Sequence, residues 1–286
     1  MSDHWQHVIG RWLGRISTAV QEAFFPAKCV VCGGFFHPPP RSEDDFWRTT
    51  VEHSAFSALG SRVELYRLFA PFLCRECARQ IITVESPICS SCGIMFKSRE
   101  GQDHLCEECI RTPKRFRRAR AAVVYEQALR TVIQRYKYRG KIQLARPLGR
   151  LLFTVFRRYW EETEIDLIIP VPLHRRRFRK RGYNQAFLPL REWKHASNAV
   201  GSAVPVNRRV LERSKPTAPQ TGLGRKERMV NLQDAFTVRE PAVIQNQRIL
   251  LVDDVYTTGA TVEEGARALL NAGAACVDVL TLARAI

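Results

Sequence analysis

The stretch Arg248–Glu264, RILLVDDVYTTGATVEE, constrains the chain more than any other. Four apolar residues, Ile249 to Val252, lead into Asp253 and Asp254. The small, hydroxyl-rich turn Thr257-Thr258-Gly259-Ala260-Thr261 follows, and a helical pattern runs over Val262–Asn271. A short apolar run bounded by turn residues predicts a buried strand of a parallel sheet. The turn combines a permissive glycine with the unpaired backbone N–H groups of a helix N-terminus, which makes a phosphate cradle. Carboxylates at a strand's carboxyl end lie where open α/β sheets bind ligands. They accept hydrogen bonds from vicinal hydroxyls and help to hold Mg²⁺. Phosphate site, diol site and metal-compatible charge side by side fit a ribose 5-phosphate.

A second constraint comes from cysteine. Eight of the nine cysteines fall in four CxxC pairs, Cys29/Cys32, Cys74/Cys77, Cys89/Cys92 and Cys106/Cys109. In a cytosolic chain repeated CxxC points to zinc and not to a disulfide framework. Each pair offers two thiolates and zinc takes four, so two structural Cys₄ sites are expected. The sequence order groups Cys29/Cys32 with Cys74/Cys77, and Cys89/Cys92 with Cys106/Cys109. An interleaved arrangement is the alternative, because residues 38–68 separate the first two pairs. Cys276 reads as a small core residue, and His37 and His104 as surface residues.

The net charge of +17 implies an anionic partner, or a generally basic composition that prefers Arg to Lys. The 45% hydrophobic content is that of a globular protein. The sequence holds no run of about 18 apolar residues. It shows no signal-peptide pattern either, so no transmembrane segment and a cytoplasmic location are expected.

Along the chain, Trp5, Ile9, Trp12, Ile16 and Val20 recur at helical spacing, predicting an amphipathic helix within 1–25. It is a partner or surface anchor, or it packs on its own protein. Residues 26–112 form the zinc domain, with an insertion at 38–68 that holds one helical turn near Val63–Phe69. The segment 110–120, IRTPKRFRRAR, is a basic linker: a hinge, or a contact for nucleic acid on which Phe116 stacks. From 119 to 286 strand and helix patterns alternate. ARAAVVY is a strand and ALRTVIQRYKYRGK a helix, and a further helix begins at Pro147. IDLIIPVP is a buried strand, followed by the basic loop LHRRRFRKRGYN. Pro189 starts or kinks the next helix. Residues 203–211 give a short strand ending near Arg208-Arg209, and VDVLTLARA the last one.

VDDVYTTGAT resembles the phosphoribosyl-pyrophosphate (PRPP) motif of the type I phosphoribosyltransferases. Together with the CxxC knuckles, YKYRGK, the VPL…RGYNQA segment and QTGLGRKERMVNL, it makes the chain similar to the ComF family over nearly its whole length. The resemblance implies a type I phosphoribosyltransferase-like α/β fold, a parallel sheet flanked by helices, preceded by a small zinc-ribbon domain. It implies that Asp253 and Asp254 hold the ribose hydroxyls and that Thr257, Thr258, Gly259, Ala260 and Thr261 grip the 5-phosphate. Arg181 and Gly182 then belong to the pyrophosphate loop, where guanidinium forks neutralise the leaving group. A mobile lid would carry Arg213, Thr217, Gln220, Arg225, Arg228 and Asn231. Mg²⁺ would accompany PRPP.

Family likeness also implies a role in competence and DNA uptake, with single-stranded DNA and competence-machinery proteins as partners. Two classes of function follow. One is phosphoribosyl transfer to an unknown acceptor. The other is a non-catalytic PRPP-sensing and single-stranded-DNA-binding module. No dedicated general base stands out; His174 and Lys137 are the candidates.

Overall fold

The computed structural model describes residues 26–39, 62–161, 164–193, 204–215 and 232–286. The helix expected near the amino terminus lies outside the described residues. So do Thr217, Gln220, Arg225, Arg228 and Asn231.

In the amino-terminal part, β1 (Ala27–Lys28) pairs antiparallel with β2 (Phe35–Phe36) across the first CxxC turn. Helix α1 (Arg62–Phe69) lies where a helical turn was expected near Val63–Phe69, and it buries Leu65, Leu68 and Phe69. Helices α2 (Arg75–Arg79) and α3 (Glu107–Arg111) begin directly after Cys74 and Cys106, which occupy their N-cap positions.

The second part alternates as expected. It contains β3 (Ala119–Val124), α4 (Gln127–Tyr138), α5 (Ala145–Tyr159) and β4 (Leu167–Pro170). Helix α5 starts at Ala145, ahead of Pro147; a proline is tolerated in the first turn, where its missing N–H has no carbonyl to meet. The basic segment after β4, expected as a loop, instead forms α6 (Arg175–Arg181). Arg and Lys are good helix formers. His174 accepts the Arg176 N–H at the amino end, and Gly182, at φ +83°, ends the helix in the left-handed conformation. Leu188–Glu192, around Pro189, is a single 3₁₀ segment.

The strand expected at 203–211 is reduced to one parallel bridge, Val206 to Ile168, on the outer edge of β4. It is followed by β5 (Leu211–Arg213), which pairs antiparallel with β6 (Phe236–Val238). After the short α7 (Pro241–Ile244) come β7 (Arg248–Tyr256), α8 (Ala260–Asn271) and β8 (Cys276–Arg284). Strand β7 runs through the acidic pair to Tyr256, four residues past the apolar run.

The sheet order is β3-β8-β7-β4, all parallel. The chain crosses from one edge to the other between β3 and β4, then steps back through β7 to β8. Right-handed crossovers place helices on opposite faces when the direction reverses. Accordingly Leu129, Val132 and Leu152 from α4 and α5 pack with Leu250, Val252 and Leu280, while Val262, Ala266 and Leu269 of α8 pack with Ile249, Leu251 and Val279. The alternation along β7 and β8 is the two-residue period of a strand covered on both faces.

The cysteine knuckles join this core. Cys29, Cys77, Leu73 and Ala78 belong to the apolar cluster of the α4/α5 face, and Cys89, Cys92 and Cys109 to that of the α8 face. A Cβ on Gly93 would lie 2.4 Å from the Ala119 carbonyl oxygen, so the third CxxC turn sits directly on the start of β3. Ala119 N–H donates to Ser91 O at 2.7 Å there.

Candidate functional site

Asp253 and Asp254 are buried near the carboxyl end of β7, inside the sheet and not at its rim. The Asp254 N–H donates to Asp253 Oδ1 at 2.8 Å. The two side chains meet different surroundings. Asp254 Oδ1 accepts from Lys137 Nζ of α4 at 2.6 Å. Its other oxygen, Oδ2, is buried with no hydrogen-bond partner among the described residues. A buried carboxylate oxygen left unpaired is costly unless a ligand or ion completes it. Burial, and next the charge of Asp254, push the Asp253 carboxyl up to about 7, with Lys137 and Arg213 opposing.

The turn that follows is held by its own sequence. Gly259 has φ +80°, and a Cβ there would lie 2.3 Å from Tyr256 Oη, so a side chain is excluded on both counts. Thr258 Oγ1 accepts from Ala260 N–H at 3.4 Å. Thr257 is exposed, Thr258 and Thr261 are half-buried, and Ala260 opens α8. The first N–H groups of this twelve-residue helix therefore face the turn without intrahelical acceptors.

Arg213, the one residue of the expected lid that is described, is buried at the end of β5 with its guanidinium over the Phe236 ring. Burial, then the charge of Arg177, lower its pKa to about 10, while Asp253 draws it back up. It is thus a buried cation that Asp253 attracts. Gln220 and Arg225 lie outside the described residues.

Arg181 ends α6, donates to Gln185 Oε1 at 2.5 Å and lies over the Tyr138 ring. That places it against the same end of α4 that carries Lys137. The two candidate bases differ. Burial acts to lower the Lys137 pKa, but Asp254 and Asp253 outweigh it and raise it, so Lys137 is a cation and not a base. His174 accepts the Arg176 N–H through Nδ1, and burial with Arg176 and Arg213 lowers its pKa, so it is neutral near pH 7.

Two cysteine groups form as the sequence order suggested: Cys29, Cys32, Cys74, Cys77, and Cys89, Cys92, Cys106, Cys109. Within each, all four sulfurs lie within 4.8 Å of one another. Cys32 and Cys74 sulfurs are 3.9 Å apart, and those of Cys92 and Cys106 3.8 Å. A tetrahedral ion with Zn–S bonds of about 2.3 Å has edges of about 3.8 Å. The donor set and spacing therefore fit zinc. Backbone N–H groups of Val31 and Cys74 point at Cys29 Sγ, and those of Cys92 and Cys106 at Cys89 Sγ. Such donors favour thiolate. Although burial raises their pKa, these N–H groups bring both Cys29 and Cys89 down to about 7. Cys276, expected in the core, is half-buried.

Sequence reasoning missed one residue. Arg284 ends the apolar strand β8, buried, with Nη2 donating to Cys92 Sγ at 3.2 Å. The signal was a charge inside an otherwise buried strand, which must have a partner.

The family described as "Phosphoribosyl transferase domain" matches residues 199–286. DNA utilization protein YhgH of Escherichia coli O157:H7 is 33% identical, covering 75% of this chain and 91% of its own. Competence protein F of Haemophilus influenzae is 32% identical over 76% of this chain and 99% of its own. Competence protein ComFC of Bacillus subtilis is 26% identical over 74% and 84%. A purine phosphoribosyltransferase structure from Pyrococcus horikoshii Ot3 is similar at 19% identity, over 48% of this chain and 70% of its own, with a TM-score of 0.27.

Proposed function

The chain belongs to the ComF family, and from that premise we propose that β7 and its turn bind PRPP and that the chain transfers its phosphoribosyl group to an acceptor. The carrying observation is the buried acidic pair directly before a helix N-terminus, with Asp254 Oδ2 unpartnered among the described residues. Asp253 and Asp254 hold the ribose hydroxyls and stabilise positive charge developing at C1. The N–H groups of Thr257–Thr261 hold the 5-phosphate. Lys137 is the counter-charge of Asp254. Arg181 and Arg213 neutralise the pyrophosphate, which leaves with the electron pair of the broken C1–O bond as the acceptor's pair forms the new one. The carboxylates and the pyrophosphate would hold Mg²⁺, which would share that charge. The acceptor is a small or polymeric nucleophile. Zinc in the two cysteine groups is structural, because four thiolates leave no open position.

The names of its relatives support a place in competence and DNA uptake. Helix α6 supports single-stranded DNA as a partner: six of its seven residues are basic, and Phe178 among them is 48% exposed. This feature also supports the second reading, a PRPP-sensing, DNA-binding module without turnover.

The test is calorimetry with Mg–PRPP, followed by pyrophosphate release with and without single-stranded DNA. The Asp253→Asn, Asp254→Asn double variant should lose binding. Unchanged affinity in a folded variant refutes the site. Binding without release in the wild type selects the second reading.

A further inference from the structure

Arg284 joins two parts of the molecule. It is 6% exposed, at the end of β8. Nη2 donates to Cys92 Sγ at 3.2 Å, and Cζ lies 4.0 Å from the centroid of the Tyr256 ring. Its Nε and Nη1 have no hydrogen-bond partner among the described residues. The Tyr256 ring in turn lies against Gly259, close enough that a Cβ there would fall 2.6 Å from Tyr256 Cζ. Phe116, from the linker after the cysteine region, meets the ring edge-on at 6.3 Å. An unbroken line of contacts runs from a sulfur of the second cysteine centre, through a guanidinium and a phenol, to the glycine of the Thr257–Thr261 turn.

We infer that the Cys89/Cys92/Cys106/Cys109 centre sets the shape of the Thr257–Thr261 turn through Arg284 and Tyr256, so that losing its ion loosens the turn. Four thiolates around a divalent ion carry net negative charge, and a buried cluster of that kind needs a neutralising partner. Arg284 is that partner: a charge-assisted donor to a ligand sulfur, acting on the metal from beyond its ligands. The dependence is mutual. Without the ion nothing fixes the four sulfurs, so the Cys92 acceptor of the buried guanidinium is no longer held in place, and its two unpaired N–H groups find no replacement in this apolar setting. The ring it supports then loses its backing. Gly259 has no side chain of its own to keep the turn in place. In functional terms the inference deepens the proposed function and rests on it: the zinc centre would hold the 5-phosphate cradle in its binding shape.

The experiment uses the full chain loaded with cadmium-113, comparing wild type with Arg284→Ala and Arg284→Lys. Arg284→Lys keeps the charge but loses the planar face on Tyr256, and it serves if Arg284→Ala does not fold. Two readouts are taken without nucleotide. One is the pair of cadmium resonances, with the rate of cadmium loss to a chelator. The other is amide hydrogen exchange in a peptide spanning 257–261. The expected result is that one resonance shifts and the other stays. Cadmium should leave the shifted centre roughly ten-fold faster, and exchange at 257–261 should rise several-fold. Wild-type exchange at 257–261 in a folded variant would overturn the inference, and so would two unshifted resonances. Because neither readout involves PRPP, this result is independent of whether wild-type protein binds PRPP.

Discussion

Lys137 Nζ stands 2.6 Å from Asp254 Oδ1, an ion pair between the end of α4 and the central strand β7. Both side chains are largely buried, at 15% and 7% exposure. This geometry decides the role of Lys137: it is a counter-charge for the acidic pair. Removing one partner of a buried pair leaves the other uncompensated. Lys137→Met should therefore cost about 3 kcal/mol of stability, and the Lys137→Met, Asp254→Asn double variant less than the sum of the singles. Denaturant titration of the four proteins at pH 7 checks this. A single-variant loss near zero would show the pair to be effectively solvated.

The raised pKa of Asp253 makes a signed prediction. An acid whose folded pKa lies above its unfolded value stabilises the fold fully below the unfolded value, and that stability is lost as pH rises through the folded one. For Asp253 the window runs from the ordinary carboxylate value of 3.8 to about 7. Across it, wild-type stability should fall relative to Asp253→Asn, by an amount on the order of a few kcal/mol. Parallel pH profiles for the two proteins would sink the assignment.

At the opposite end of the sheet Asp278 is fully buried on β8. It accepts from Trp160 Nε1 at 2.6 Å and from Arg117 Nη2 at 2.5 Å, tying the linker and the end of α5 to the sheet. Asp278→Ala strands the buried Trp160 donor, while the half-exposed Arg117 can turn to Glu164 and water, and should destabilise by about 1–3 kcal/mol. Asp278→Asn, which keeps an acceptor, should cost less. Thermal unfolding of the two variants gives the comparison; equal losses would mean that packing, not pairing, dominates.

Zinc removal should act on the whole fold. Cysteines of both centres belong to the apolar clusters on the two faces of the sheet. Chelation should therefore lower the main unfolding transition, by roughly 5 °C or more, and not merely remove a separate small one. Calorimetry with and without chelator distinguishes these. An unmoved main transition would show an independently folding ribbon.

Much of the architecture was legible in order along the chain. The run Ile249–Val252 with its two acids and glycine turn announced a buried parallel strand, and β7 is that strand. The CxxC spacing announced two four-sulfur groups, and the structure brings together the same eight residues. Where the reading fell short, local pattern was ambiguous. The Arg175–Arg181 segment lacks an apolar stripe, so its helix was invisible to periodicity and rests on propensity and two caps. The 203–211 segment has strand-like residues, but β4 offers an edge for only one bridge.

By itself the sequence determined the chemistry that each segment carries: thiolates in pairs, two adjacent carboxylates, a glycine where φ must be positive. These are properties of residues and their near neighbours, within the reach of a turn or a strand. Only the tertiary structure decided which charges meet. Lys137 and Asp254 are 117 positions apart, and Arg284 and Cys92 are 192 apart. Such pairs depend on the order β3-β8-β7-β4 and on which face each helix covers. The crossover direction sets both, and local spacing does not encode it.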